Sequence, residues 1–206
     1  MSAVIMAPYV MAHVFWFFLF SPLTAPRVPF WLLMSLATGV LALWGLMAQK
    51  RVLAVLFHFK PVHFLWGIIS AAALYGFFLL GHELSRIVLP FSSGEISRIY
   101  LTREQMPLAR IGTLLFFWIG PAEEIFWRGF LQERLMLRFG TQAGYVAAAF
   151  LYAAVHVYAL NIMLFLAALI CGLFWGYMYK RCRLLWPVII SHAIWDLMIF
   201  VLLPMK

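Results

Sequence analysis

Long apolar runs, separated by short polar or basic gaps, dominate the pattern of this chain. The runs from Phe30 to Gln49 and from Phe64 to Gly81 contain no Asp, Glu, Lys or Arg. An uncharged apolar run of about 18 residues or more is typical of a transmembrane helix. The pattern therefore predicts an all-α protein, a polytopic bundle of transmembrane helices.

Further apolar segments bring the predicted number of spans to about seven. A short first span covers residues 9–21, and a fourth covers residues 111–138. Residues 139–179 carry no charged side chain and would be about twice as long as a bilayer core is thick, so we expect two helices there, with a turn near 158–161. The last span covers residues 184–203. Residues 1–20 lack a basic start and a cleavage site, and we expect them to be a retained span rather than a signal peptide.

Residues 82–110 differ from the rest of the chain because charged and apolar positions alternate there. Pro90 and the sequence Ser92-Ser93-Gly94 divide the segment. We interpret it as an amphipathic interfacial segment, with a cap that faces the substrate as the alternative. One membrane domain, 1–206, is predicted: residues 1–110 hold the N-terminal spans and this segment. Residues 111–206 hold a helical core, for which the residues described below predict a catalytic role.

Composition and charge agree with a membrane protein and exclude other classes. Hydrophobic residues make up 66% of the chain and charged residues 11%, whereas soluble domains have about a quarter charged residues. The net charge of +8 arises from basic residues in the short gaps, where positive-inside topology places them, so nucleic acid is not an expected partner. The bilayer is the expected partner, the inner membrane of a prokaryote is the expected location, and the oligomeric state stays open.

Several ionisable residues lie inside the predicted spans, where insertion of a charge costs roughly 2.5–3.5 kcal/mol. They are Glu123, Glu124, Arg128, His156, His192 and Asp196. Because such residues are expensive to bury, they are candidates for function.

Three pairs of polar side chains are each four positions apart, so each pair shares one face of a helix. The pairs are Glu124 with Arg128, Tyr152 with His156, and His192 with Asp196. Glu123 is left without a partner on its own helix, which suits a general base. Purely structural roles remain as alternatives: an ion pair for Glu124 and Arg128, a helix cap for His156, and packing for His192.

Several known protease classes are excluded by the residues that the chain lacks. The chain contains neither HExxH nor GxSxG, and Asp196 is its only aspartate, which excludes a two-aspartate protease. Ser191 adjoins His192, and neighbouring side chains on a helix diverge. A zinc protease of the HExxH type and a serine protease are therefore not predicted.

The motif EExxxR at residues 123–128, followed by Tyr152-xxx-His156 and His192-xxx-Asp196, resembles the CPBP family. That family includes CAAX prenyl proteases of the Rce1 type and bacteriocin-processing or self-immunity proteins. The resemblance implies an Rce1-like core and a glutamic-type intramembrane endopeptidase. Under it, Glu123 would activate water and His156 would help to hold that water. His192 and Asp196 would lie where the family stabilises the oxyanion, and Glu124 and Arg128 would orient Glu123.

This sequence departs from the family pattern at two positions. Tyr152 stands where the family has Phe, and Asp196 stands where several members have Asn. A carboxylate donates no hydrogen bond unless it is protonated, so Asp196 is instead expected to orient His192.

Cofactor, activity and substrate leave alternatives open. Glu123, His156 and His192 would make a zinc site of two histidines and one carboxylate, although we favour the mechanism without a cofactor. The protein could also be a non-catalytic scaffold or immunity factor, or a proton-linked transporter. A membrane-associated protein is the expected substrate, cleaved at a C-terminal tail, a sorting anchor or a leader peptide.

Overall fold

The fold is known from a computed structural model that describes residues 3–205. Residues 1–2 and 206, at the ends of the predicted single domain, lie outside the described part. The structure is 86% helical and contains no strand within the described residues. The predicted all-α fold is therefore confirmed.

Nine helices follow one another along residues 3–205. They are α1 (Ala3–Phe20), α2 (Phe30–Ala48), α3 (Leu53–Leu56), α4 (Pro61–Val88), α5 (Ser92–Tyr100), α6 (108–139), α7 (Thr141–Ala154), α8 (Ile162–Cys182) and α9 (Trp186–Asp196). Helix α7 continues as the 3-10 turn Val155–Ala159, and α9 continues as the π-helix Leu197–Leu202.

Three of these helices, α2, α4 and α8, are long and apolar enough to cross a membrane, and α1 and α9 are shorter apolar helices. The count of seven spans stays a prediction. Helix α4 is longer than the predicted third span and reaches Val88, because its exposed apolar stripe does not end at Gly81. Leu84 and Ile87 continue the exposed apolar face, while His82 and Ser85 are buried on the opposite face.

The ends of the helices follow local chemistry. Gly140, between α6 and α7, has a φ of 84°, a conformation that a side chain disfavours. Leu160 has a φ of 47°, and the Asn161 side chain accepts a hydrogen bond of 2.9 Å from the backbone N–H of Leu164. The turn predicted near residues 158–161 is therefore confirmed.

Helix α6 is central to the bundle, and its geometry changes twice. It is π-helical at Leu115–Ile119 and at Ile125–Gln132, with the α-helical stretch Gly120–Glu124 between them. Pro121 has no backbone N–H and so cannot make the i→i−4 hydrogen bond, which favours a local change of helix geometry. All residues from Phe126 to Gln132 are buried, as α6 packs against α2, α7 and α9.

The two cysteines, Cys171 and Cys182, are free, and Cys171 is buried. The predicted interfacial segment contains α5, which is hydrogen-bonded to the start of α8. The Glu95 carboxylate accepts a hydrogen bond of 3.0 Å from the Met163 backbone N–H, and the Asn161 side chain donates to the Glu95 carbonyl at 2.8 Å.

Candidate active site

Helix α6 places two neighbouring carboxylates in the interior. Glu123 is 5% exposed, Glu124 is fully buried, and Arg128 is 2% exposed. The Arg128 Nη1 atom lies 2.8 Å from Glu124 Oε1. The ion pair expected from the spacing of four is thus present in the protein interior.

His192 on α9 joins the same carboxylate. Its Nδ1 atom lies 2.7 Å from Glu124 Oε1, whereas its Nε2 atom lies 3.4 Å from Asp196 Oδ2. The sequence paired His192 with Asp196 alone, yet the contact with Glu124 on another helix is the shorter one. Trp175 on α8 stacks on the imidazole, with 3.8 Å between ring centroids, and fixes its plane.

Glu123 has a partner that the sequence analysis did not predict. The Tyr152 hydroxyl on α7 donates a hydrogen bond of 3.1 Å to Glu123 Oε2. The expectation concerned only its own helix, and the partner in the structure comes from another helix, α7. Phenylalanine, the residue of the family pattern at this position, lacks the hydroxyl that makes this contact.

His156 lies at the start of the 3-10 turn after α7, and both of its ring nitrogens are engaged. Its Nδ1 atom lies 2.9 Å from the Tyr152 carbonyl oxygen, and its Nε2 atom lies 3.2 Å from Trp16 Nε1. A carbonyl only accepts and an indole N–H only donates. These partners assign the proton to Nδ1 and the lone pair to Nε2, so His156 is neutral in this arrangement.

The three predicted pairs therefore meet in the core, through two sets of contacts. Glu124, Arg128 and His192 form one hydrogen-bonded network, with Asp196 at its edge. Tyr152 links Glu123 and His156, through its hydroxyl and its carbonyl respectively. The side chains predicted for the site are brought together on α6, α7 and α9.

Sequence reasoning missed two tryptophans that touch the site. Trp16 donates to His156, and Trp175 stacks on His192. Both tryptophans are fully buried in the core. Neither residue belongs to a motif with the site, and no spacing along the chain signals these contacts.

Comparison with known proteins gives a match in the region that contains the candidate site. Residues 105–198 match the family model described as type II CAAX prenyl endopeptidase Rce1-like. This segment is similar to the Rce1-like family. It contains all three motif pairs, so the resemblance inferred from the motifs is confirmed. No curated protein and no solved structure gives a significant match to the chain.

The side chains of this Rce1-like segment do not fit the alternative zinc site. A metal would need a free lone pair from His156 and from His192. The Nε2 lone pair of His156 faces the Trp16 indole, and both nitrogens of His192 face carboxylates. Within residues 3–205, no three side chains of His, Cys, Asp or Glu form a group that could hold a metal.

An apolar cavity of about 460 Å³ adjoins the polar cluster of the Rce1-like segment. Its lining includes Trp195 and Asp196 of α9 and Ile96, Ile99 and Tyr100 of the interfacial segment. Burial raises the pKa of Tyr100, and its hydroxyl donates to the Ile199 carbonyl at 3.0 Å. The interfacial segment thus covers a cavity that reaches a residue of the candidate site.

Proposed function

We propose that the protein is an intramembrane endopeptidase that hydrolyses a peptide bond of a membrane-associated protein, with water activated by Glu123. The observation that carries the proposal is that the two neighbouring carboxylates have different partners. Glu124 is neutralised by Arg128 and bound by His192, whereas Glu123 receives only the hydroxyl of Tyr152 among the described residues. A carboxylate without a cationic partner can accept a proton from water. The match to a protease family over residues 105–198 supports this assignment.

The proposed chemistry balances without a cofactor. Glu123 takes one proton from water while the water oxygen bonds to the carbonyl carbon of the scissile peptide. The resulting oxyanion collapses, the C–N bond breaks, and the leaving nitrogen receives the proton from Glu123. The products are a new C-terminal carboxylate and a new amine.

His192 and His156 have different roles in this proposal. The Nε2 contact of His192 with Asp196, at 3.4 Å, is the looser of its two contacts. A substrate oxygen can take the place of the Asp196 carboxylate and accept the hydrogen bond from the Nε2–H of His192 while the oxyanion forms. Such an interaction is worth about 3 kcal/mol in other enzymes. Asp196 then orients His192 rather than donating itself. The Nε2 atom of His156 is an acceptor, so it can accept a hydrogen bond from water once the Trp16 indole moves away.

The substrate proposal rests on the cavity and the family. The apolar lining beside Asp196 suits a substrate segment or modification that partitions into lipid. The matched family is described as a type II CAAX prenyl endopeptidase. A farnesylated C-terminal peptide is therefore the first probe, while a sorting anchor and a leader peptide remain the other classes of substrate.

The experiment compares the wild-type protein with the Glu123→Ala variant. Purified protein in proteoliposomes receives a quenched fluorescent farnesylated peptide that ends in Cys-aliphatic-aliphatic-X. In parallel, mass spectrometry maps new C-termini in membranes that contain either protein. We expect Glu123→Ala to abolish cleavage at unchanged abundance. Glu104→Ala, which removes an exposed carboxyl group, is the matched control and keeps full activity.

The other two functions predict different results. A scaffold or immunity factor produces no new C-terminus and keeps its biological effect in Glu123→Ala. A proton-linked transporter loses proton flux in proteoliposomes and releases no peptide product. Either result, with folded protein, contradicts the protease proposal.

A further inference from the structure

We propose that the Tyr152 hydroxyl is a positioning group for Glu123. Where the family pattern has phenylalanine, this chain has a tyrosine, and its hydroxyl adds a hydrogen bond that phenylalanine cannot make. The inference rests on the proposed function, because it assigns a role to the general base. Its basis is the contact of 3.1 Å between the hydroxyl and Glu123 Oε2, both on buried side chains.

The ring of Tyr152 is held from several sides. It packs edge-on against Trp127 and His156, with ring centroids 5.1 Å and 5.2 Å away. The Arg128 guanidinium lies 4.7 Å from the ring centroid, in the range of a cation–π contact. A ring confined in this way presents its hydroxyl in one direction, so the hydrogen bond can orient the Glu123 carboxylate.

The backbone of the same residue holds the second candidate side chain. Helix α7 ends at Ala154 and continues directly as the 3-10 turn that contains His156. The Tyr152 carbonyl accepts the Nδ1–H of His156 at 2.9 Å. One residue thus contacts both Glu123, through its hydroxyl, and His156, through its carbonyl.

Phenylalanine at this position would keep the packing and lose only the donor. The Glu123 carboxylate would then sample other orientations, and its ionised form would lose a hydrogen bond. We expect Tyr152→Phe to lower the cleavage rate about tenfold, since a rate loss of this order corresponds to one hydrogen bond to a charged group. We also expect the acid side of the rate profile to move to higher pH.

The test uses isolated membranes that contain the full chain, opened with detergent so that both sides share one pH. Mass spectrometry follows the initial rate at which new C-termini form, across a pH series, at matched abundance. Tyr145→Phe is the matched control, since Tyr145 is also on α7 and its hydroxyl donates to the Leu173 carbonyl at 3.0 Å, away from Glu123. We expect the control to keep the wild-type rate and pH profile.

Variants at Glu123 separate the positioning role from the proposed function. A wild-type rate and an unshifted profile in Tyr152→Phe, with Glu123→Gln inactive, overturn the positioning role alone. Activity that persists in Glu123→Gln overturns the proposed function and the positioning role with it. A rate loss that equals the loss of folded protein, measured by thermal unfolding, also overturns the positioning role.

Discussion

Removal of Arg128 should destabilise the protein more than removal of any exposed charge. The change Arg128→Met keeps a long apolar stem and deletes the guanidinium. Glu124 is fully buried, and its Oε1 atom would keep only His192 as a partner. The substitution therefore leaves a carboxylate in the interior without the cation that neutralises it.

The expected magnitude follows from this burial. Removal of one partner of a buried ion pair costs about 3–5 kcal/mol, because the remaining charge stays desolvated. The guanidinium also lies 4.7 Å from the Tyr152 ring centroid and 5.5 Å from that of Trp175, and these contacts are lost as well. In a chain of this size each kcal/mol corresponds to about 2–4 °C, so we expect the melting temperature to fall by roughly 10 °C.

The assay is thermal unfolding of detergent-solubilised protein, followed by tryptophan fluorescence. Arg98→Ala is the matched control. Arg98 pairs with Glu95 at 3.5 Å, but its side chain is 59% exposed, so the loss should stay below about 1 kcal/mol. The double variant Glu124→Gln/Arg128→Met removes both charges and should recover part of the stability.

Two results would refute this reasoning. A melting temperature within about 2 °C of wild type in Arg128→Met would show that the pair contributes little to folding. A double variant that is as unstable as the sum of the two single variants would show that the charges do not interact. Either result would also remove the argument that Arg128 neutralises Glu124 and leaves Glu123 as the base.

Three further predictions address packing, metal dependence and the edge of the site. Gly144→Ala should cost about 2 kcal/mol in thermal unfolding, because a Cβ there would collide with the backbone of Met136, whereas Gly76→Ala, with open space around it, should not. Cleavage should continue in EDTA or 1,10-phenanthroline; a loss that added zinc restores would contradict the assignment of the histidine nitrogens. Asp196→Leu should lower the cleavage rate about tenfold, and Asp196→Asn should lower it less; equal losses would contradict an orienting role through hydrogen bonding.

The sequence pattern was sufficient to predict most helices of the fold, because the positions of helices depend on local chemistry. Uncharged apolar runs predicted α2 and α4, and the length of residues 139–179 required the turn that the structure has at Leu160. The end of α4 was predicted too early. The charged residues after Gly81 signalled an interface, but the apolar stripe through Leu84 and Ile87 continues the helix.

Contacts within one helix could also be predicted, whereas contacts between helices could not. The spacing of four gave the Glu124–Arg128 pair directly. The contact of His192 with Glu124, and that of Tyr152 with Glu123, depend on how each helix is rotated and tilted in the bundle. A single sequence holds no signal for those angles, since a residue's face is defined only relative to its own helix.

The most direct test of the central claim is the appearance of new protein C-termini in membranes that contain the wild-type chain or Glu123→Gln at equal abundance. The substitution keeps the size of the side chain and removes its ability to act as a base. If Glu123 activates the hydrolytic water, specific C-termini form with the wild-type chain and are absent with Glu123→Gln. Identical sets of C-termini from the two membranes would contradict the account.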